Sequence, residues 1–138
     1  MKIINNFYRI AAVAVLLLSA CTNTKQQEKD ALNEVIKVHD DAMAKSEKAM
    51  KNKMLLDSLT KTSALKDTAN VASIVSNLST ADKAMEDWMH QFNVDYTGKA
   101  HEEVMQYLAD QKKKVVQVNN RLNAAVNQSD QFIVTNKK

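Results

Sequence analysis

The chain contains no proline, and Gly98 is its only glycine in 138 residues. A β-rich domain of this size normally carries more turn residues, because glycine and proline punctuate hairpins and loops. Long helices with few connections fit better. Cysteine is just as scarce: Cys21 stands alone, so no internal disulfide can form. Familiar catalytic signatures are missing as well. There is no G-x-S-x-G nucleophile turn, no glycine-rich phosphate loop and no H-E-x-x-H pair. Adjacent carboxylates such as Asp40-Asp41 and Glu102-Glu103 diverge by about 100° on a helix, so they do not form an acid–base pair. They suit the solvated first turn of a helix. No enzymatic activity is expected.

What is present begins with an address. In "MKIINNFYRIAAVAVLLLSA" (residues 1–20), Lys2 and Arg9 form a basic flank and an apolar run extends from Ile10 to Leu18. Small residues then precede Cys21. The run is too short and wrongly flanked for a membrane span and has the anatomy of a secretory signal. Leu18-Ser19-Ala20-Cys21 resembles the lipobox of bacterial lipoproteins, in which the cysteine is acylated and becomes the mature N-terminus. The competing possibility is an ordinary cleavage site with a spare cysteine. The lipobox implies a firm membrane anchor at Cys21, since each buried methylene of an acyl chain such as palmitate contributes about 0.8 kcal/mol. The expected location is the cell envelope, lipid-anchored, in the outer membrane of a Gram-negative bacterium. Periplasmic and surface faces both stay open.

Losing Lys2 and Arg9 with the signal takes the formal charge from +3 to +1. Such a chain has no electrostatic footprint for nucleic acid, and none is expected as a partner. Lys112-Lys113-Lys114 suits a solvated helix face better than a phosphate site.

Apolar residues then recur in steps of three and four, the pattern of helices packed on helices. The first segment runs Leu32, Val35/Ile36, Ala42/Met43 and Ala49/Met50, with His39 and Ser46 between. The second runs from Val71 through Ile74/Val75, Leu78, Ala81, Met85 and Trp88/Met89 to Phe92. The third runs from Val104/Met105 through Leu108, Val115, Val118, Leu122 and Ala125 to Phe132. Asp41–Lys45, Glu47–Lys51 and Asp110–Lys114 place an acid four residues ahead of a lysine, which supports exposed helix faces. The connection "NVDYTG" is short and rich in turn formers, so the second and third helices are expected to be antiparallel neighbours. Residues 55–70 fit either a loop or an extension of a helix. The expected fold is all-α: an antiparallel three-helix bundle (up-down-up) after a lipoprotein signal peptide. The expected divisions are residues 1–20 as the cleaved signal, 21–30 as lipidated Cys21 and a flexible polar tether, 31–134 as the bundle and 135–138 as a basic tail.

The densest run of unusual side chains is "AMEDWMHQF", from Ala84 to Phe92. Met85, Trp88 and Phe92 fall on the apolar seam, and methionine and tryptophan at helical spacing normally fill a core. Leu108 belongs to the same expected core. His39, on the first seam, needs a polar partner, and Asp82 is placed to accept its hydrogen bond. A sharper possibility also exists. His39, His101, Met85, Met89 and Met105 would gather at one end of an up-down-up bundle, and imidazole with thioether suits a soft metal or haem. Against it, no HxxxH, carboxylate motif or CxxCH accompanies the cluster. The structural alternative is preferred, with no cofactor.

"VHDDAM" (38–43), "ADKAMEDWMHQF" (81–92) and "YLADQKKKV" (107–115) resemble small, uncharacterised helical lipoproteins of the Bacteroidota. Some of those carry the label "viral A-type inclusion protein", which reflects coiled-coil similarity and implies no function. The likeness spans most of the mature chain and implies an anchored helical domain without a stated activity. A lipid-anchored interaction or structural module of the envelope, with a protein partner, is therefore expected. A small bundle holding metal or haem is the alternative.

Overall fold

Three α-helices account for nearly all of the chain: α1 (Lys2–Lys61), α2 (Val71–Gln91) and α3 (His101–Asn136). The computed structural model describes the backbone of residues 2–138 and the side chains of residues 23–138. The expected signal peptide (1–20) and acylated Cys21 lie outside the residues whose side chains are described. The three helices pack against one another. Among the described residues there is no β-strand, only an isolated bridge between Leu65 and Lys137.

A seven-residue repeat on α1 generates the core. Val35, Ala42, Ala49 and Leu56 are all at most 1% exposed. Ile36, Met43 and Met50, grouped with this seam by their spacing, turn outward instead and are 37%, 38% and 54% exposed. Each follows a buried residue by one position, which is about 100° around the helix. The small Ala42 and Ala49 thus line the close approach, and the larger methionines flank it. From α2 come Ile74, Leu78, Ala81, Met85 and Trp88; from α3 come Val104, Leu108, Val115, Val118, Leu122, Ala125 and Val126. Leu56, Leu78, Leu108 and Leu122 are fully enclosed. Truncating any one of them to alanine removes buried methyl groups and leaves a cavity, a loss of about 2–5 kcal/mol.

Side-chain contacts fix which levels of the helices meet. Along α1 and α3, Glu28 meets His101, Glu34 meets Lys112, Lys45 meets Asn119 and Asn52 meets Ser129. Between α1 and α2, the His39 ring lies 5.9 Å from Trp88, and Ser46 meets Asp82. Between α2 and α3, Phe92 faces Tyr107 and Asn77 meets Gln128.

The first connection proves to be residues 62–70, since Leu55 to Lys61 complete α1. It opens with a left-handed stop. Ser63 has φ 53, and the bonds Ala64 N–H to Leu59 O (2.9 Å) and Ser63 N–H to Thr60 O (3.1 Å) close a Schellman motif. Leu65 then buries itself, 4% exposed, while its neighbours pair with the end of the chain: Lys66 N–H to Asn136 O at 2.8 Å and Lys138 N–H to Ala64 O at 3.0 Å. Of the expected basic tail, Thr135 and Asn136 therefore finish α3, and the last two residues lock the connection. The second connection, residues 92–100, is stiffened by side-chain turns. Asn93 Oδ1 accepts from Asp95 N–H and Asp95 Oδ1 from Thr97 N–H, while Gly98 supplies φ 78. Glu103 Oε2 accepts the Ala100 N–H at 2.9 Å and caps the start of α3.

Candidate functional site

The run Ala84–Phe92 closes the bundle at the end where α2 meets α3. Met85 (1% exposed) and Trp88 (5%) are core, as is Leu108 (1%), and Phe92 is half-buried against them. A tier of rings continues from there. The Trp88–Phe92 centroids are 4.8 Å apart, Phe92–Tyr107 6.3 Å and Tyr107–Tyr96 5.9 Å. Because Phe92 faces Tyr107 across the two helices, Trp88 and Gln111, one turn further in, stand level. Trp88 Nε1, Gln111 Oε1 and Tyr96 Oη are buried without a hydrogen-bond partner among the described residues. Burial raises the Tyr96 phenol above its ordinary value, and Tyr107 and Glu28 push it in the same direction.

The expected His39–Asp82 pair is not made. His39 Nδ1 lies 2.9 Å from Asp40 Oδ1 with its ring against Trp88, and Asp82 accepts from the Ser46 hydroxyl. The register differs because α1 does not begin near residue 31. It continues toward the N-terminus past the end of α2, so each α2 residue faces a later α1 residue than a start at 31 implies. The segment 23–30, expected as a flexible polar tether, is the helical extension that does this. It is stitched internally by Gln26 Nε2 to Asp30 Oδ1 at 2.8 Å and docked onto α3 through His101.

His101 Nδ1 lies 2.8 Å from Glu28 Oε1 and its Nε2 3.1 Å from Gln27 Oε1. Glu28 and His39 are eleven residues apart on α1, about 16 Å along the axis. His101 therefore stands far from His39. Met85 is sealed in the core, Met89 is 38% exposed on the outside, and Met105 is half-buried. The structure does not bring the five His and Met side chains together. Among the described residues, no group of three or more His, Cys, Asp or Glu side chains converges either.

Three flanks of the bundle differ in chemistry. Where α1 meets α3, charges tie the helices. Lys112 pairs with Glu34, Lys48 with Asp130 at 3.2 Å, and Asp41 accepts from both Lys45 and Asn119. These partners lower the carboxyls of Asp41 (hydrogen bonds from Lys45, then Asn119) and Glu34 (the Lys112 hydrogen bond first) below their ordinary values. The flank of α1 toward α2 is apolar. Ile36 lies three residues from His39, and Met43 and Met50 lie three and four from Ser46, the two residues that touch α2. Met54 (67% exposed) extends the row outward, and Met89, seven residues from Asp82, borders it from α2. The third flank, between α2 and α3, is a groove of small and hydroxyl side chains around Arg121.

Of the buried polar residues, Ser46 falls on the first seam, whereas Asn52, Gln111 and Ser129 were not singled out by the apolar spacing, although Asn52 sits seven residues before the buried Leu59. Among the described residues, no helix is long and apolar enough to cross a membrane. Comparison with protein families, curated proteins and solved structures found nothing that matches this chain.

Proposed function

We propose that the mature chain is a lipid-anchored interaction module of the bacterial cell envelope, held to the membrane by acylated Cys21 and docking a protein partner along the α1–α2 flank. One observation carries this: the row Ile36, Met43, Met50 and Met54 leaves large apolar side chains in water on one side of a bundle whose α1–α3 side is closed by ion pairs. Methionine is flexible and polarisable, and surfaces rich in it adapt to apolar partner faces. The bundle is an up-down-up one in this proposal. It is supported by contacts that rise together along α1 and α3, while α2 contacts run the opposite way. The anchor rests on the lipobox of residues 18–21 and the apolar run before it. No catalytic step is part of the function.

Two variants separate anchor from docking. Cys21→Ala is expected to leave the detergent phase on phase partition of whole membranes. Met43→Glu/Met50→Glu is expected to stay in that phase, while the solubilised particle shrinks toward one chain per micelle. Unchanged partition of the first contradicts the anchor, and unchanged particle size of the second contradicts the docking face.

A further inference from the structure

We infer that the groove between α2 and α3 around Arg121 is a binding site for a small carboxylate-bearing, hydroxyl-rich ligand of the sugar-acid class. Arg121 is the only arginine among the described residues; every other cationic side chain there, histidines aside, is a lysine. Arginine and lysine do not substitute for one another. The guanidinium presents a rigid fork of donors that matches the two oxygens of a carboxylate, whereas an ammonium is a point charge. Arg121 is exposed and has no ion pair or hydrogen bond with the described residues.

Its surroundings form a concavity. Two adjoining hollows, about 490 and 420 Å³, share Arg121 and Thr80. Each falls within the roughly 300–1,000 Å³ typical of small-ligand sites. The depth comes from Ala81 and Ala124, whose single-carbon side chains leave space between the helices. One end is bounded by the Asn77 Nδ2 to Gln128 Oε1 bond of 3.0 Å. Hydroxyls of Ser76, Ser79 and Thr80 line the α2 side, and a hydroxyl both donates and accepts, as sugar hydroxyls require.

Charge selects the ligand further. Lys83 also borders the hollow, but Asp87 holds it at 2.9 Å, which leaves one unmatched positive charge, that of Arg121. A monoanionic carboxylate matches that charge, and a phosphate dianion exceeds it. The hollow on the α1–α3 flank offers no guanidinium, since its cations are Lys37 and Lys112, the latter already paired with Glu34. The site lies on another side of the bundle from the methionine row and stands independently of that proposal.

The full chain holds two arginines, Arg9 and Arg121, so the Arg121 Nε–Hε resonance is identified by its loss in Arg121→Lys. The full protein, purified in detergent micelles, is titrated with sodium glucuronate, glucose and inorganic phosphate while that resonance and the Thr80 amide are followed. Glucuronate is expected to shift both saturably and to bind more tightly than either glucose or phosphate. Arg121→Lys, read at Thr80, is expected to weaken glucuronate by about tenfold through loss of the bidentate pair. Ala124→Leu, at an exposed helix position, fills the hollow and is expected to abolish the shifts with helicity unchanged. Equal binding of glucuronate and glucose, tighter binding of phosphate, or glucuronate binding unaltered by Arg121→Lys or Ala124→Leu would overturn the inference.

Discussion

Asn52 on α1 donates from Nδ2 to Ser129 Oγ on α3 at 2.7 Å, with the two residues 3% and 0% exposed. The same amide nitrogen donates to Asp130 Oδ1 at 2.7 Å, and the Ser129 hydroxyl passes on to Val126 O at 2.8 Å. A buried amide satisfied in only one alignment penalises every other one. Sliding α1 by a heptad toward the start of α3 would place Asn52 level with the buried Leu122, with its donors unmet.

Asn52→Ala is expected to destabilise the bundle by about 1–3 kcal/mol, because Ser129 and Asp130 lose a buried donor. Asn52→Leu/Ser129→Ala removes both partners and is expected to recover much of that loss in urea unfolding. If the pair sets register, the double variant shows extra amide resonances from slipped alignments. A single sharp set would assign Asn52 to stability alone.

Ser63 occupies the left-handed position at the end of α1, where a side chain strains the backbone and glycine does not. Ser63→Gly is therefore expected to stabilise the protein by up to about 1 kcal/mol, the strain relief being partly offset by the greater freedom of glycine in the unfolded chain. Thermal unfolding measures it; a lower melting temperature would contradict the motif.

Trp88 is enclosed between His39 and Phe92. Its emission is expected to be blue-shifted in the native protein and to move red in denaturant. Trp88→Ala is expected to cost about 3–5 kcal/mol, as for other large core truncations. Native emission like that of free tryptophan would contradict the packing at this end.

Helices, their number and most of the core were legible because apolar spacing reports directly which face of a helix avoids water. Met85, Trp88 and Leu108 follow from that spacing alone. Spacing cannot tell how far a helix runs beyond its last apolar residue. Residues 23–30 are polar, yet helical, because Gln26, Gln27 and Glu28 find partners on α1 and α3 that only the fold supplies. That extension shifted the register, so Asp82 went to Ser46 rather than to His39. Nor does spacing separate Ala42 from Met43 when both are apolar. The fold prefers the smaller residue where helices approach closely, which is why the exposed methionine row became visible only in three dimensions.

The α1–α3 charges give the bundle a defined acid response. The folded-state pKa values of Asp41 and Glu34 lie below their ordinary values of 3.8 and 4.5. Their contribution is therefore fully present above those ordinary values and is lost as pH falls through the lower folded-state ones. Both carboxylates are exposed, so salt screens the effect. The urea midpoint of the wild type is expected to fall below about pH 4.5. Asp41→Asn should show a lower midpoint at neutral pH and a shallower fall, and molar salt should narrow the gap. Parallel curves for the two proteins would show that Asp41 contributes nothing to this response.

Docking along the methionine row is tested most directly by site-specific photocrosslinking in intact cells. A photoreactive residue is placed in turn at Met43, Met50 and, on an exposed position of α3, Lys113. The proposal predicts one crosslinked species of the same mass from Met43 and Met50, dependent on Cys21, and none from Lys113. No adduct from the methionine row, or the same adducts from Lys113, would contradict it.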